Sequence, residues 1–364
     1  MPRVIGIDPG TVSVDICGLD AGRVFLDRSL PTADALADPS ALAGLLEDAH
    51  RVAPLDLVCG PSGYGLPLTE ARHLTHDDIR LAYLAIAGET GGIGGLRTLM
   101  RHLALMPIPI VLTPGVVHLA SVPAHRKVNR VDMGTADKVC VAALALREHT
   151  SRRACREREA SFILLELGGA FTAALAVVDG QIVDGSGGTS GPLGARAAGA
   201  LDGEVAFLAG SVTKHLLFSG GAATIAGTPD AHAEALSNPT TDRGRLAWAA
   251  YLESAVKAVV SLAVSAPQAS EVIISGRFAR IARVRDDLAR RLATVSAPPV
   301  HVLAGFATVA LQAAQGAALL ADGLAGGTSA ALVDALGIRQ ASGTALDHLH
   351  VITPAAARSR LGIG

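Results

Sequence analysis

Two short segments carry residues whose types and spacing could do chemistry together: Asp8-Pro9-Gly10-Thr11 and Glu166-Leu167-Gly168-Gly169. In each, a carboxylate stands two residues ahead of a glycine in a turn-forming run. Glycine lets backbone N–H groups approach a phosphate with no side chain in the way. The carboxylate can hold Mg²⁺, usually through water, because that ion keeps part of its hydration shell. Either segment alone reads more often as a plain hairpin turn. Both lead similarly ordered halves of the chain, and this repetition favours a site that grips a polyphosphate from two sides. Gly10, Thr11, Gly168 and Gly169 would then face the phosphates, with Asp8 and Glu166 toward the cation.

The elements that must position these residues follow from periodicity and turn chemistry. Residues 4–8, 13–19 and 23–27 read as three short strands, separated by Pro9-Gly10 and Asp20-Ala21-Gly22. A helix over 41–51 and a strand over 55–59 come next. A glycine-rich run at 88–95 leads into a helix with Leu96, Leu99 and Leu103 on one face. A strand over 108–113 and a helix over 134–148 complete the first half, and the arginine-rich run 150–158 reads as a hinge. The opening pattern then returns as strands over 162–167, 172–178 and 181–184, joined by Gly168-Gly169 and Asp179-Gly180. A long helix (243–265), a strand (271–275), a helix from Arg277 and an alanine-rich helical tail from Phe306 through Asp322 follow.

Further candidates lie on these elements. The strand ending in Ser275-Gly276-Arg277 before a helix would bring close backbone and a helix amino terminus to a nucleotide. Arg196, in a low-charge Gly/Ala stretch, could hold two oxygens of a transferring phosphoryl group. Asp132 and Asp137 bracket Gly134-Thr135. Either could act as general base toward a hydroxyl, and Asp132 has the alternative of capping the following helix. Lys138 either pairs with one of them in an exposed salt bridge or binds phosphate. Gly91-Gly92-Ile93-Gly94-Gly95, ahead of Arg97 and Arg101 on one helix face, is an anion-receiving element or a loop with a solvated basic face. Tyr64 lines an acceptor pocket or simply packs.

Composition narrows the partners. A length of 364 residues suits two domains of roughly 150–200 residues. With a net charge of −2 and 3% aromatic residues there is no basic footprint and no base-stacking platform, so nucleic acid is excluded as a partner class. Cys17, Cys59, Cys140 and Cys155 form no CxxC pair and read as thiols in a reducing cytoplasm. The histidines form no HxxxH or HExxH ligand set. MPRVIGID runs straight into a strand, and no window of about eighteen uninterrupted apolar residues exists. A soluble, cytoplasmic protein without membrane contact is expected.

The order of these elements resembles the superfamily of acetate and sugar kinases, actin and the heat-shock chaperone ATPases, and within it the acetate/butyrate kinase branch. Met133-Gly134-Thr135-Ala136-Asp137-Lys138 occupies the place of the acetate kinase HGTSH segment. Arg196-Ala197-Ala198-Gly199, with Asp202 following, is similar to its R-S-G-D run. Ser219-Gly220-Gly221-Ala222-Ala223-Thr224-Ile225-Ala226-Gly227-Thr228-Pro229-Asp230 resembles its nucleotide segment, and Ser275-Gly276-Arg277 stands at its adenine-flanking glycine pair. V-D-M-G-T-A-D-K also resembles a group described as predicted butyrate kinases. The resemblance covers about residues 4–20 and 130–320. It departs at Asp8, where acetate kinases have Asn, at Met133 and Asp137, which replace two histidines, at the arginine missing from Val58–Gly63, and at Ala170-Phe171, where a third glycine would stand.

The resemblance implies an α/β fold of two actin-like (ribonuclease H-like) domains, each with a mixed five-stranded sheet flanked by helices, and a nucleotide cleft between them. Residues 1–155, with 323–364 packing back, would form the first domain and 156–322 the second. ATP and Mg²⁺ are the implied cofactors. Ser219, Gly220, Gly221, Asp230 (toward the ribose), Gly276 and Arg277 would bind the nucleotide, and Arg196, Asp137 and Asp132 would serve catalysis. The implied activity is phosphoryl transfer to a carboxylate or hydroxyl of a small, anionic acceptor, in a chain that pairs as a homodimer. Two alternatives stay open: an ATPase that drives a partner by domain closure, and a nucleotide-binding protein without turnover.

Overall fold

Turn residues at Pro9-Gly10 and Asp20-Ala21-Gly22 fold β1 (Arg3–Pro9) and β2 (Ser13–Asp20), which are buried along most of their length, and the more exposed β3 (Arg23–Pro31) into an antiparallel meander. The computed structural model describes residues 1–86, 93–229 and 233–363. β4 (Leu57–Pro61) joins β1 in parallel, beyond the two-residue β5 (Thr69–Glu70) comes β6 (Ile110–Thr113), and the first sheet has the order β3-β2-β1-β4-β6-β5. β7 (Phe162–Leu167), β8 (Thr172–Val178) and β9 (Gln181–Ser186) form a second meander. With β10 (Val272–Ser275) and β11 (Val300–Val302) they give the order β11-β10-β7-β8-β9. Five strands of the first sheet thus recur in the same order and directions in the second. Only the first sheet departs from the expected five strands: β5 adds a sixth at its edge, antiparallel to β6.

Helices Ala136–Arg153 and Gln312–Leu324 fill the space between the sheets. Val4, Cys17 and Cys59 from the first sheet and Leu164, Leu175 and Ile273 from the second share one buried cluster with them. The opposite faces are covered separately: Ile5, Ile7 and Ile16 pack on Leu42 and Leu46 of the Pro39–Val52 helix, and Ile163 and Leu165 on Tyr251 and Leu252 of the Asp242–Ala263 helix. Successive residues of each first strand therefore serve different cores, the signature of a sheet buried on both faces.

Two glycines allow the inner layer to close. A Cβ on Gly6 would collide with the backbone of Ala314 and Ala318, and one on Gly316 with the Cys140 carbonyl. The Gln312–Leu324 helix thus lies against the backbone of β1 and of the Ala136–Arg153 helix, and its sheet contacts are with β1, β2 and β4. It belongs by packing to the first sheet, although most of it falls within residues 156–322.

Several boundaries differ from the sequence reading. The Ala136–Arg153 helix starts after Gly134, whose φ of +126° is incompatible with helix, and runs through half of the expected hinge. Its last turn is held because Arg152 and Arg153 pair with the buried Glu271. The chain after Arg277 makes a 3₁₀ turn (Phe278–Arg280) before the Ala282–Thr294 helix begins. Residues 306–311 are not helical: Phe306 and Ala307 N–H groups are taken by Gln315 Oε1, and Thr308, Val309 and Ala310 donate to Asp27. The Asp242–Ala263 helix has the length and mean hydropathy (1.3) of a membrane span by composition. It carries Arg243, Arg245, Glu253 and Lys257, however, and turns its apolar face into the second core.

Candidate active site

The matching hairpins bring their turns face to face. Gly10 N–H donates to Ser13 O and Gly168 N–H to Phe171 O, both at 2.9 Å, so the two turns are closed by the same bond. A Cβ built on Gly169 would lie 3.6 Å from Val12 Cγ2 and 3.5 Å from Arg277 Cδ, which sets the two tips against each other with Arg277 beside them. Arg277 Nη2 donates to Ser13 Oγ at 2.9 Å, crossing from the second sheet's end to the first hairpin. Gly276, at φ +87°, packs on the Leu167–Gly168 backbone, where a Cβ would collide.

Below the turns lies a buried ionic cluster. Lys138 Nζ donates to Asp137 Oδ2 at 2.5 Å and to Glu166 Oε1 at 3.0 Å. The sequence expectation of an exposed salt bridge is corrected here: the first turn of the Ala136–Arg153 helix aims Lys138 inward, toward β7. Burial pushes the Asp8 carboxyl well above the usual range, with Asp137, Asp15 and Glu166 adding like charge and Lys138 relieving part of it. Burial also raises Glu166, and Lys138 only partly offsets that. For Asp137 burial works against the charge, yet Lys138 and the Thr135 hydroxyl together hold it below the usual range. Lys138 keeps its proton because Asp137 and Glu166 outweigh its own desolvation.

The second sheet's loops gather around its turn. Arg196 N–H donates to Ala170 O at 3.0 Å and Gly221 N–H to Arg196 O at 2.7 Å, while Ala197 and Gly220 form an isolated bridge. Gly168, Gly169, Arg196, Gly220, Gly221 and Gly276 are therefore laced into one surface. The Arg196 guanidinium is exposed and has no hydrogen-bond or ion-pair partner among the described residues. Ser219 Oγ donates to Leu216 O at 3.0 Å. Asp230 lies outside the described residues, as do Gly91 and Gly92. Ala170 fits where a third glycine was expected because only its carbonyl is used, by Arg196 and Ala197; Phe171 turns its ring onto Phe218, 4.8 Å away.

Asp132 does not cap the following helix, whose N-cap residue is Thr135. Its carboxylate accepts from Gly134 N–H (3.2 Å) and from Thr189 N–H and Oγ–H (2.8 Å each), fastening the 132–135 segment to the loop after β9. The Ala136 N–H donates to Gly63 O at 2.9 Å, which places Tyr64 next to the start of that helix. Lys214 Nζ, from the other side, stands 4.8 Å from the Tyr64 ring centroid.

Sequence reasoning missed Asp15 and Ser13. A signal was available: a hairpin that turns at residues 10–13 pairs Asp8 directly with Asp15. Among the described residues no three His, Cys, Asp or Glu side chains close on one point tightly enough to cage a metal. The cluster does fit a cation carried by a phosphate ligand. Asp8, Asp15, Asp137 and Glu166 outnumber Lys138 and Arg277, and Asp15 Oδ1 and Glu166 Oε2 are buried without hydrogen-bond partners among the described residues.

A family model described as a protein of unknown function, DUF1464, matches residues 6–351. The chain belongs to the DUF1464 family. No curated protein matches it. Among solved structures, the DUF1464 chain is similar to a propionate kinase from Francisella tularensis, with a TM-score of 0.64, 14% identity, and 87% of this chain and 99% of that one covered. An acetate kinase from Porphyromonas gingivalis gives 0.57, 14%, and 81% and 88%. An acetate kinase from Entamoeba histolytica gives 0.58, 9%, and 80% and 87%. At these identities the likeness establishes the fold: two mixed sheets flanked by helices in the arrangement of the actin-like kinases.

Proposed function

We propose that this protein is an ATP-dependent small-molecule kinase, cytoplasmic and soluble, with the nucleotide's phosphates held between the two hairpin turns. The observation that carries this reading is the apposition of Gly169 and Val12, tips of two topologically equivalent carboxylate-led turns, with Arg277 alongside. The fold neighbours named as acetate and propionate kinases support it. Backbone N–H groups around Gly10-Thr11 and Gly168-Gly169 would cradle the phosphates. Ser219, Gly220, Gly221, Gly276 and Arg277 would form the nucleoside side, and Asp8 and Glu166 would face the nucleotide's Mg²⁺. That ion, when bound, would neutralise phosphate charge.

Arg196 is the residue for the transferring group: its forked guanidinium, without a partner among the described residues, can hold two phosphoryl oxygens. On the acceptor side, Asp137 is held ionised, with Asp8 and Glu166 close by. A hydroxyl acceptor suits this floor. Its oxygen bonds to the γ-phosphorus, the bond to the β–γ bridging oxygen breaks, ADP leaves with that electron pair, and Asp137 takes the hydroxyl proton. A carboxylate acceptor needs no base and would meet repulsion from the same groups. Asp132 acts through position, by fixing the Gly134 segment.

The test is turnover of Mg·ATP with panels of hydroxyl compounds and short fatty acids, followed by ³¹P NMR with hydroxylamine present. A phosphate ester is expected. Acyl hydroxamate would assign a carboxylate acceptor of the butyrate kinase kind, hydrolysis independent of acceptor would favour an ATPase coupled to a partner, and no binding of ATP would remove the reading.

A further inference from the structure

Asp8 and Asp15 are direct cross-strand partners in the β1–β2 hairpin, so their side chains leave the same face of the sheet. Like charges in that relation are destabilising. Asp15 is 1% exposed. Its Oδ2 accepts the Ser13 hydroxyl at 2.7 Å, while Oδ1 is buried with no partner among the described residues. No hydrogen bond or ion pair reaches the Asp8 carboxylate among the described residues. The nearby cations direct their hydrogen bonds elsewhere, Lys138 to Asp137 and Glu166 and Arg277 to Ser13 Oγ, and they reach Asp8 and Asp15 only through space. Glu166 has the Lys138 ammonium on Oε1, although its Oε2 is an orphan too, whereas among the described residues neither Asp8 nor Asp15 makes an ion pair.

We infer that Asp15 and Asp8 together hold the divalent cation of the bound nucleotide, and that Glu166 serves Lys138 instead of the metal. The inference rests on the nucleotide reading above and changes one of its assignments. Mg²⁺ takes one or two carboxylates and completes its shell with water and phosphate oxygens, which agrees with a site the protein alone does not cage. The turn geometry links the two features: Ser13 donates its hydroxyl to Asp15 and accepts the Gly10 N–H through its carbonyl, so one residue ties the phosphate-facing turn to the carboxylate pair.

The experiment titrates Mn²⁺ into the full chain with the non-hydrolysable analogue AMPPNP, reading free Mn²⁺ by electron paramagnetic resonance. Thermal unfolding is followed in parallel. Asp15→Asn is expected to weaken Mn²⁺ retention at least tenfold and to abolish the stabilisation that Mn²⁺ adds to AMPPNP. Glu166→Gln is expected to weaken it less than threefold. Should Asp15→Asn not fold, Asp15→Ser, neutral and smaller, carries the same expectation. Wild-type Mn²⁺ affinity in the Asp15 variants, or a larger loss in Glu166→Gln than in them, would overturn the assignment while leaving the kinase reading in place. Absence of AMPPNP binding to the wild-type chain would remove both.

Discussion

Lys138 Nζ stands 3.0 Å from Glu166 Oε1, so one ammonium ties the Ala136–Arg153 helix, which lies between the sheets, to the first strand of the second sheet. Removing one partner of a buried ion pair leaves an uncompensated charge, at a cost of roughly 3–5 kcal/mol. Lys138→Met should destabilise the fold by that order in denaturant unfolding. Adding Glu166→Gln should recover at least about 1 kcal/mol, because the stranded charge is gone. Strictly additive losses would show that the two side chains do not act on each other.

Arg196→Ala should lower the rate of phosphoryl transfer by about 10²–10³, the usual scale for a donor that meets developing charge. Nucleotide affinity should stay near wild type, since the Arg196 backbone, not its side chain, carries the bonds to Ala170 and Gly221. Rate and calorimetric affinity, measured on the same preparation, separate the two. An unchanged rate takes Arg196 out of the mechanism.

Gly316→Ala adds a single methyl where the Cys140 carbonyl already lies. Two helix backbones would have to part, so a loss of about 1–3 kcal/mol or more is expected from overpacking. Gly44→Ala makes the control, because nothing lies near its Cβ position. Comparable unfolding midpoints for the two variants would contradict the close approach.

Acid should weaken the fold through Glu271. Burial disfavours its charge, but His149 (Nδ1 at 2.5 Å) and Arg152 hold its pKa at about 2 against an ordinary 4.5. A carboxyl lowered in the folded state contributes stability that is complete above about pH 4.5 and lost as pH falls toward 2, here on the order of 3 kcal/mol. Glu271→Gln should flatten the stability profile across that window. A profile as steep as that of the wild type would assign the acid sensitivity elsewhere.

Much of the fold was legible in the sequence because its cues are local. Turn residues at Pro9-Gly10, Asp20-Ala21-Gly22, Gly168-Gly169 and Asp179-Gly180 end strands where they are written, and the repeated meander carried the expectation of two matching sheets. The same cues located Asp8, Glu166 and the glycine turns. Boundaries failed where a distant partner decided them: the 150–158 hinge is half helix because Glu271 anchors Arg152 and Arg153, and 306–311 is a non-helical, bent segment because Asp27 and Gln315 collect its N–H groups.

Residue order by itself determined the two carboxylate-led hairpins and the classes of side chain available to them, since strand period and turn chemistry act over a few residues. Tertiary structure alone decided which distant polar groups meet, Lys138 with Glu166 and Arg277 with Ser13, and that no cation pairs with Asp15, whose Oδ1 is left without a partner among the described residues. Ion pairing and desolvation depend on which groups are brought within a few ångströms, and for side chains up to 264 residues apart that distance is set by packing rather than by sequence neighbours.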